Sequence, residues 1–152
     1  MPKLSQFAGD PTRESQGVWL EYGANLWVKL GRAGTARYKK TMSEVQRPHR
    51  RKLRSGVDPT LEERCAKIAF AKTPLVHDWG IRANGEEDAE GNIISGAEDM
   101  LDDAGGVIEC TPDAVLAAFK DPRNMDFWNW CLEVCTEGAI FQAKALEDSA
   151  GK

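Results

Sequence analysis

Cys110-Thr111-Pro112-Asp113-Ala114-Val115-Leu116-Ala117-Ala118-Phe119-Lys120-Asp121-Pro122, with the run from Arg123 to Leu146 behind it, decides how this chain folds. The Thr111 hydroxyl can accept from free N–H groups at a helix start. Pro112 fits the first helical position, and Asp113 complements the positive helix end. Ala114 to Phe119 then makes about two turns with an apolar side. Asp121-Pro122 stops that helix and opens the next, because proline disfavours helical geometry in the residue before it. Beyond Arg123, Met125, Trp128, Leu132, Cys135, Ala139, Gln142 and Leu146 recur at alternating spacings of three and four, and all but Gln142 are apolar. Phe127, Cys131, Val134, Gly138, Phe141 and Ala145 make a second row beside them. The spacing predicts one long helix, enclosed by its own domain or by a partner.

Upstream, Arg82 to Gly106 is rich in Gly, Asp and Glu and reads as a long exposed loop, with one helical turn around Ala97 to Asp102. Ile93-Ile94, Met100-Leu101 and Val107-Ile108 are apolar pairs that can each anchor it. A loop of this length within a compact domain is usually functional or mobile. Before it, Asp58-Pro59-Thr60 opens an amphipathic helix marked by Leu61, Cys65, Ile68 and Ala69. Pro74 ends or kinks that helix, and Leu75 to Trp79 continues its apolar face to a stop at Gly80. Thr35 caps a helix from about Ala36 to Arg47 with Tyr38, Met42 and Val45 at helical spacing. Pro48 stops it, and His49 to Gly56 is a basic connector.

Val18-Trp19-Leu20-Glu21-Tyr22 and Leu26-Trp27-Val28-Lys29-Leu30 flank a Gly23-Ala24-Asn25 turn, the pattern of a β-hairpin. One face is aliphatic, and Trp19 and Trp27 share the other. Two strands do not stand alone, so the hairpin packs on the helices or on another chain. Residues 1–16 read as a loose, polar leader. The fold expected is mainly α: one domain over 17–152, about four helices, an N-terminal hairpin over 17–32 and an acidic loop over 82–106.

At 152 residues the chain suits a single domain, which buries roughly 70% of its unfolded surface. Net charge is −4, which argues against an overall nucleic-acid binder but conceals a dipole along the sequence. Between Lys29 and Arg54, ten Lys and Arg face Glu44 alone; between Arg82 and Glu109, nine Asp and Glu face Arg82 alone. No signal-peptide core and no apolar run of about 18 residues is present, so the expected location is the cytosol, with Cys65, Cys110, Cys131 and Cys135 as reduced, apolar-behaving thiols.

Catalytic patterns do not rise above background. His49 and His77 are the two histidines, and neither accompanies a nucleophile signature. Cys131 and Cys135 stand at i and i+4, a spacing compatible with core packing, a disulfide or a metal; packing is preferred because zinc asks for four ligands in paired local spacings. Glu86, Glu87, Asp88 and Glu90 lack calcium-loop spacing and read as a solvated run. Gly31 and Gly34 precede no Gly-Lys-Ser/Thr and form no phosphate loop. No enzyme, cofactor or metal is expected. The stretch Arg47 to Arg54, with Arg50 and Arg51 at its centre, lacks interleaved aromatics for base stacking. It reads as a solvated connector able to pair with the acidic loop, ahead of a protein-docking surface and of nucleic acid.

The order of these features resembles the small tail assembly chaperones of long-tailed bacteriophages. The residues that carry the likeness are Gly17-Val18-Trp19-Leu20-Glu21-Tyr22, Lys29-Leu30-Gly31-Arg32-Ala33, Leu75-Val76-His77-Asp78-Trp79-Gly80-Ile81, and Thr111-Pro112-Asp113-Ala114 with Leu116. They cover roughly 17–81 and 107–147; residues 82–106 are longer and more acidic than the family's pattern. The resemblance implies a non-enzymatic, mostly helical protein of the host cytoplasm. Its implied partners are the tape-measure protein and the major tail-tube protein, with self-association possible and no membrane. The rival expectation is a structural adaptor or tail-completion component kept in the particle. In either role, aromatic hot spots would cover apolar helical segments, and the candidate partner-binding residues are Trp19, Trp27, Phe127, Trp130, Arg50 and Arg51.

Overall fold

The computed structural model describes residues 16–23, 25–56, 59–137 and 141. The leader, save Gln16, and Ala139, Gln142, Ala145 and Leu146 of the expected long helix lie outside those residues. Strand β1 (Val18–Gly23) pairs antiparallel with β2 (Leu26–Leu30), matching Val18 to Leu30 and Leu20 to Val28, as the hairpin pattern predicts. Helix α1 (Ala36–Gln46) follows, capped by Thr35, whose hydroxyl accepts from the Tyr38 N–H at 3.4 Å.

Helix α1 ends at Gln46, just before Pro48, as the sequence predicts. The next stretch departs from expectation twice. Pro48 sits in a 3-10 turn (Arg47–His49) that leads into α2 (Arg50–Ser55), so the basic connector is helical. Proline is tolerated there because the first turn leaves its missing N–H unneeded. After α3 (Pro59–Lys72), residues Val76–Trp79 form strand β3 instead of continuing a helix face. Strand β3 pairs antiparallel with β2, matching Val28 to Trp79 and Lys29 to Asp78, so the hairpin becomes a three-stranded sheet in the order β1-β2-β3. His77 is the extra residue of a bulge between the Lys29–Asp78 and Leu30–Val76 pairs.

Residues 84–111 are irregular until α4 (Pro112–Lys120), which starts as predicted: Thr111 Oγ1 accepts from the Ala114 N–H at 3.1 Å, with Pro112 at the first position. Asp121 stops it and accepts from the Arg123 N–H at 2.9 Å, opening a short 3-10 turn (Pro122–Asn124). Helix α5 (Met125–Thr136) is the last among the described residues, and it ends at Thr136 where one continuous helix was expected. Glu137 is extended, and the Ala33 N–H, from the loop after β2, donates to the Cys135 carbonyl at 2.9 Å. A tertiary contact thus satisfies a carbonyl that a longer helix would have used.

The core lies between the sheet and the helices. Val28 and Leu30 of β2, Phe70 of α3, Phe119 of α4 and Trp128, Cys131 and Cys135 of α5 are all buried in it. Its aromatic rings touch in series: Tyr38–Phe70 at 5.4 Å between centroids, Phe70–Trp128 at 5.0 Å, Trp128–Phe119 at 4.9 Å, Phe119–Phe127 at 5.9 Å and Phe127–Tyr22 at 5.2 Å. Most are edge-on or tilted, the arrangement ring quadrupoles favour.

The other face of the sheet carries Trp19 and Trp27, as strand alternation predicts, and residues 83–97 cover it. Trp19, Ala83, Ile94 and Ala97 are buried together, with Trp27 against them. The acidic segment is therefore anchored, with its charges outward. Asn84 brackets Ala97, accepting from its N–H at 3.0 Å, and the Ile94 N–H donates to the Glu86 carbonyl at 2.7 Å. No helical turn forms at 97–102; that stretch is irregular. The apolar pairs divide one in, one out: Ile94 is buried and Ile93 is 66% exposed, while Met100 and Ile108 pack on the core and Leu101 and Val107 stay exposed.

Candidate functional site

An open groove of about 590 Å³ lies where the sheet, α4, the start of α5 and residues 100–108 meet. One wall comes from α4, where Ala114, Ala117 and Ala118 stand at i, i+3 and i+4 and Asp121 follows at i+7, so all four share one face. The opposite wall is the segment Met100 to Ile108. Asp102 shapes it: one carboxylate oxygen accepts from the Ala104 and Gly106 N–H groups at 3.0 and 2.7 Å, and a single antiparallel bridge pairs Leu101 with Val107. The floor is aromatic and aliphatic, from Tyr22, Leu26, Trp79 and Phe127.

This wall is fixed to the sheet at two points. The Trp79 indole N–H donates to the Ile108 carbonyl at 2.8 Å. At the end of β3, Gly80 has φ +83°, and a Cβ there would meet the Glu98 carbonyl oxygen and the Met100 nitrogen at 3.2 Å. Only glycine combines that dihedral with so close a backbone crossing.

Charge rings the mouth. Asp102, Asp103, Asp121 and Asp126 line it, and Arg123 is the one cation among its lining residues. Arg123 Nη2 sits 2.7 Å from Asp121 Oδ2 and 3.2 Å from Asp103 Oδ2, so its guanidinium spans the two walls. The hydrogen bonds from Arg123 hold the Asp121 carboxyl below the usual carboxylate range. The Arg123–Asp103 half is 71% and 85% exposed, a contact that water competes for.

The structure distributes the sequence candidates unevenly. Phe127 lines the groove floor but is itself buried, with Trp130 stacked 6.3 Å away; Trp130 is half-buried and lies 5.0 Å from Tyr22. Trp19 is 3% exposed beneath the acidic segment, and Trp27 is half-buried beside it. Arg50 and Arg51 are exposed on α2, away from the groove; Arg50 Nη2 donates to Ser43 Oγ at 3.2 Å. Among the described residues no ion pair joins 47–54 to the acidic segment, so the pairing expected between them is not made. Sequence reasoning missed Ala117, Ala118, Asp103 and Arg123. The spacing of Ala114, Ala117, Ala118 and Asp121 was the signal available; the opposite wall gave none.

The ionisable groups of the interior suit packing. Burial pushes the Cys110 thiol up to about 12, reinforced by Asp78 against an opposing Arg82. Burial also raises the Cys131 and Cys135 thiols, and both residues are completely enclosed and unbridged. Thiolate, the nucleophilic and metal-binding form, is disfavoured at all three. Tyr38 is raised to about 12 by burial and then by Cys135. His77 is lowered by burial, then by the charges of Lys29 and Arg37. Among the described residues no cluster of three or more His, Cys, Asp or Glu has metal-site geometry, and no helix is long and apolar enough to cross a membrane.

Comparisons of the chain with protein-family models, with curated proteins and with solved structures return no match.

Proposed function

We propose that this chain is a non-enzymatic binding protein that acts as a phage tail assembly chaperone in the host cytoplasm. In that role it holds apolar segments of the tape-measure protein and engages tail-tube subunits while the tail is built. The observation that carries the reading is the groove, an open, aromatic-floored concavity on a small, otherwise well-packed domain. Concave, mostly apolar sites with a few placed polar groups are the usual form of a binding surface. Two short motifs behind the family resemblance contribute to it, since Trp79 of Asp78-Trp79-Gly80-Ile81 is in the floor and Ala114 of Thr111-Pro112-Asp113-Ala114 is in the wall. Exposed apolar side chains cluster nearby, with Tyr22 at 38% and Leu101 at 52%.

Co-expression with the tape-measure and tail-tube proteins, followed by affinity capture, tests the reading. Capture of the tape-measure protein is the expected result, and failure to capture either partner overturns it. Mass spectrometry of purified particles separates the chaperone from the rival adaptor: a chaperone is absent from the finished virion, an adaptor is retained in it.

A further inference from the structure

We infer that the groove docks an α-helical segment of another protein whose apolar face is flanked by Lys or Arg. The inference rests on the chaperone reading for the kind of partner and on the geometry for the site.

The helical form follows from the α4 wall. Ala114, Ala117 and Ala118 present only methyl groups along one face, with Ala117 exposed. Side chains this small let a second helix axis come within about 8 Å, the close end of helix packing. An apolar stripe on the incoming helix then reaches the floor at Tyr22 and Phe127, while Leu101 closes over its outer side.

Charge selects what flanks that stripe. Four carboxylates and one guanidinium leave the mouth negative, and Arg123 is already committed to Asp121 and Asp103. An incoming cation at Asp126, or one that takes Asp103 from Arg123, gains attraction. An acidic flank meets repulsion from both walls, and so does a nucleic-acid phosphate. Because Arg123 keeps Asp121 when it releases Asp103, the exchange leaves the guanidinium paired.

The test uses the full chain and three labelled helical peptides with one shared Leu/Ala face and with Lys, Gln or Glu flanks, read by fluorescence anisotropy. The Lys-flanked peptide is expected to bind at least about ten-fold tighter than the Glu-flanked one at low salt, a gap that closes as salt is added. Ala117→Trp, which fills the groove from an exposed position, should weaken it by about ten-fold or more. Asp103→Asn with Asp126→Asn should weaken it by about three- to ten-fold and flatten the salt dependence. Should the Trp variant misfold by circular dichroism, Ala117→Lys takes its place with the same expected loss. Equal binding of the Lys and Glu peptides overturns the inference, as does undiminished binding to a folded Ala117 variant. Concentration-dependent self-association that Ala117→Lys abolishes, with no peptide bound, assigns the groove to a second copy and overturns it too. Tape-measure capture that survives Ala117→Trp sinks the groove but leaves the chaperone reading. Lys-peptide binding without tape-measure capture does the reverse.

Discussion

The two faces of the three-stranded sheet are covered by different kinds of structure. On one, regular helices bring Phe70, Phe119 and Trp128 into contact over Val28 and Leu30. On the other, an irregular acidic segment covers Trp19 with Ala83, Ile94 and Ala97. The helical side buries many large groups by side-chain contact. The segment side buries few, and holds its shape with hydrogen bonds such as those from the Ala97 N–H to Asn84 Oδ1 and from the Ile94 N–H to the Glu86 carbonyl. Stability is therefore expected to be concentrated on one face and adaptability on the other, with the groove at their junction, where Trp79 and Gly80 tie one to the other.

The sharpest way to break that contrast is to empty the helical side. Trp128→Ala removes a completely buried indole touching two phenyl rings, and is expected to cost about 3–5 kcal/mol, enough to threaten folding outright. Denaturant titration measures it. A loss under about 1 kcal/mol would mean that the aromatic series does not carry the fold.

A smaller effect is expected where the faces join. Gly80→Ala imposes a positive φ on a residue with a Cβ and presses that atom toward the Glu98 carbonyl and Met100 nitrogen, costing about 1–3 kcal/mol. The loss should fall unequally: amides from 98 to 108 lose protection in hydrogen exchange, while those of α3 and α5 keep theirs. Uniform loss would mean that the two coverings unfold as one unit.

Local chemistry was the part of this architecture legible in the sequence. Thr111-Pro112-Asp113 and Asp121-Pro122 mark helix boundaries through their own side chains and ring constraints, and both boundaries hold. The hairpin with its two-sided alternation holds for the same reason. What failed depended on distant partners. Val76–Trp79 is a strand because β2 offers it an edge, and nothing within Leu75 to Gly80 announces that. The three-four apolar spacing continued beyond Thr136, yet the Ala33 amide takes the Cys135 carbonyl where the helix ends. The groove was half legible: the α4 alanines were readable, whereas the Asp102 turn and Trp79's hold on Ile108 join residues that periodicity does not connect.

Two indoles give a finer comparison. Trp79 donates to the Ile108 carbonyl, while the Trp19 indole nitrogen is buried with no hydrogen-bond partner among the described residues. Trp79→Phe deletes a made bond and leaves a carbonyl short, which costs about 1–2 kcal/mol beyond the lost ring. Trp19→Phe deletes an unmade one and recovers its desolvation penalty, so it should be milder by about 1 kcal/mol or more. Equal losses in thermal melts would show that the hydrogen bond contributes nothing to holding the groove wall.

The smallest effect expected is a pH dependence from His77, the bulge residue of β3. Burial, then Lys29 and Arg37, place its folded pKa below the ordinary value, while the unfolded imidazole titrates near about 6.5. Below that pH the unfolded chain binds the extra proton first. The contribution of neutral His77 to stability is therefore complete above about 6.5 and is lost as pH falls through the lower, folded value. Melting temperature should drop between pH 7.5 and 5.5 in the native chain and drop less in His77→Gln, whose side chain does not titrate. Because His77 is only half-buried, the difference should be modest. A variant as acid-sensitive as the native chain would show that the loss does not come from the sheet's bulge.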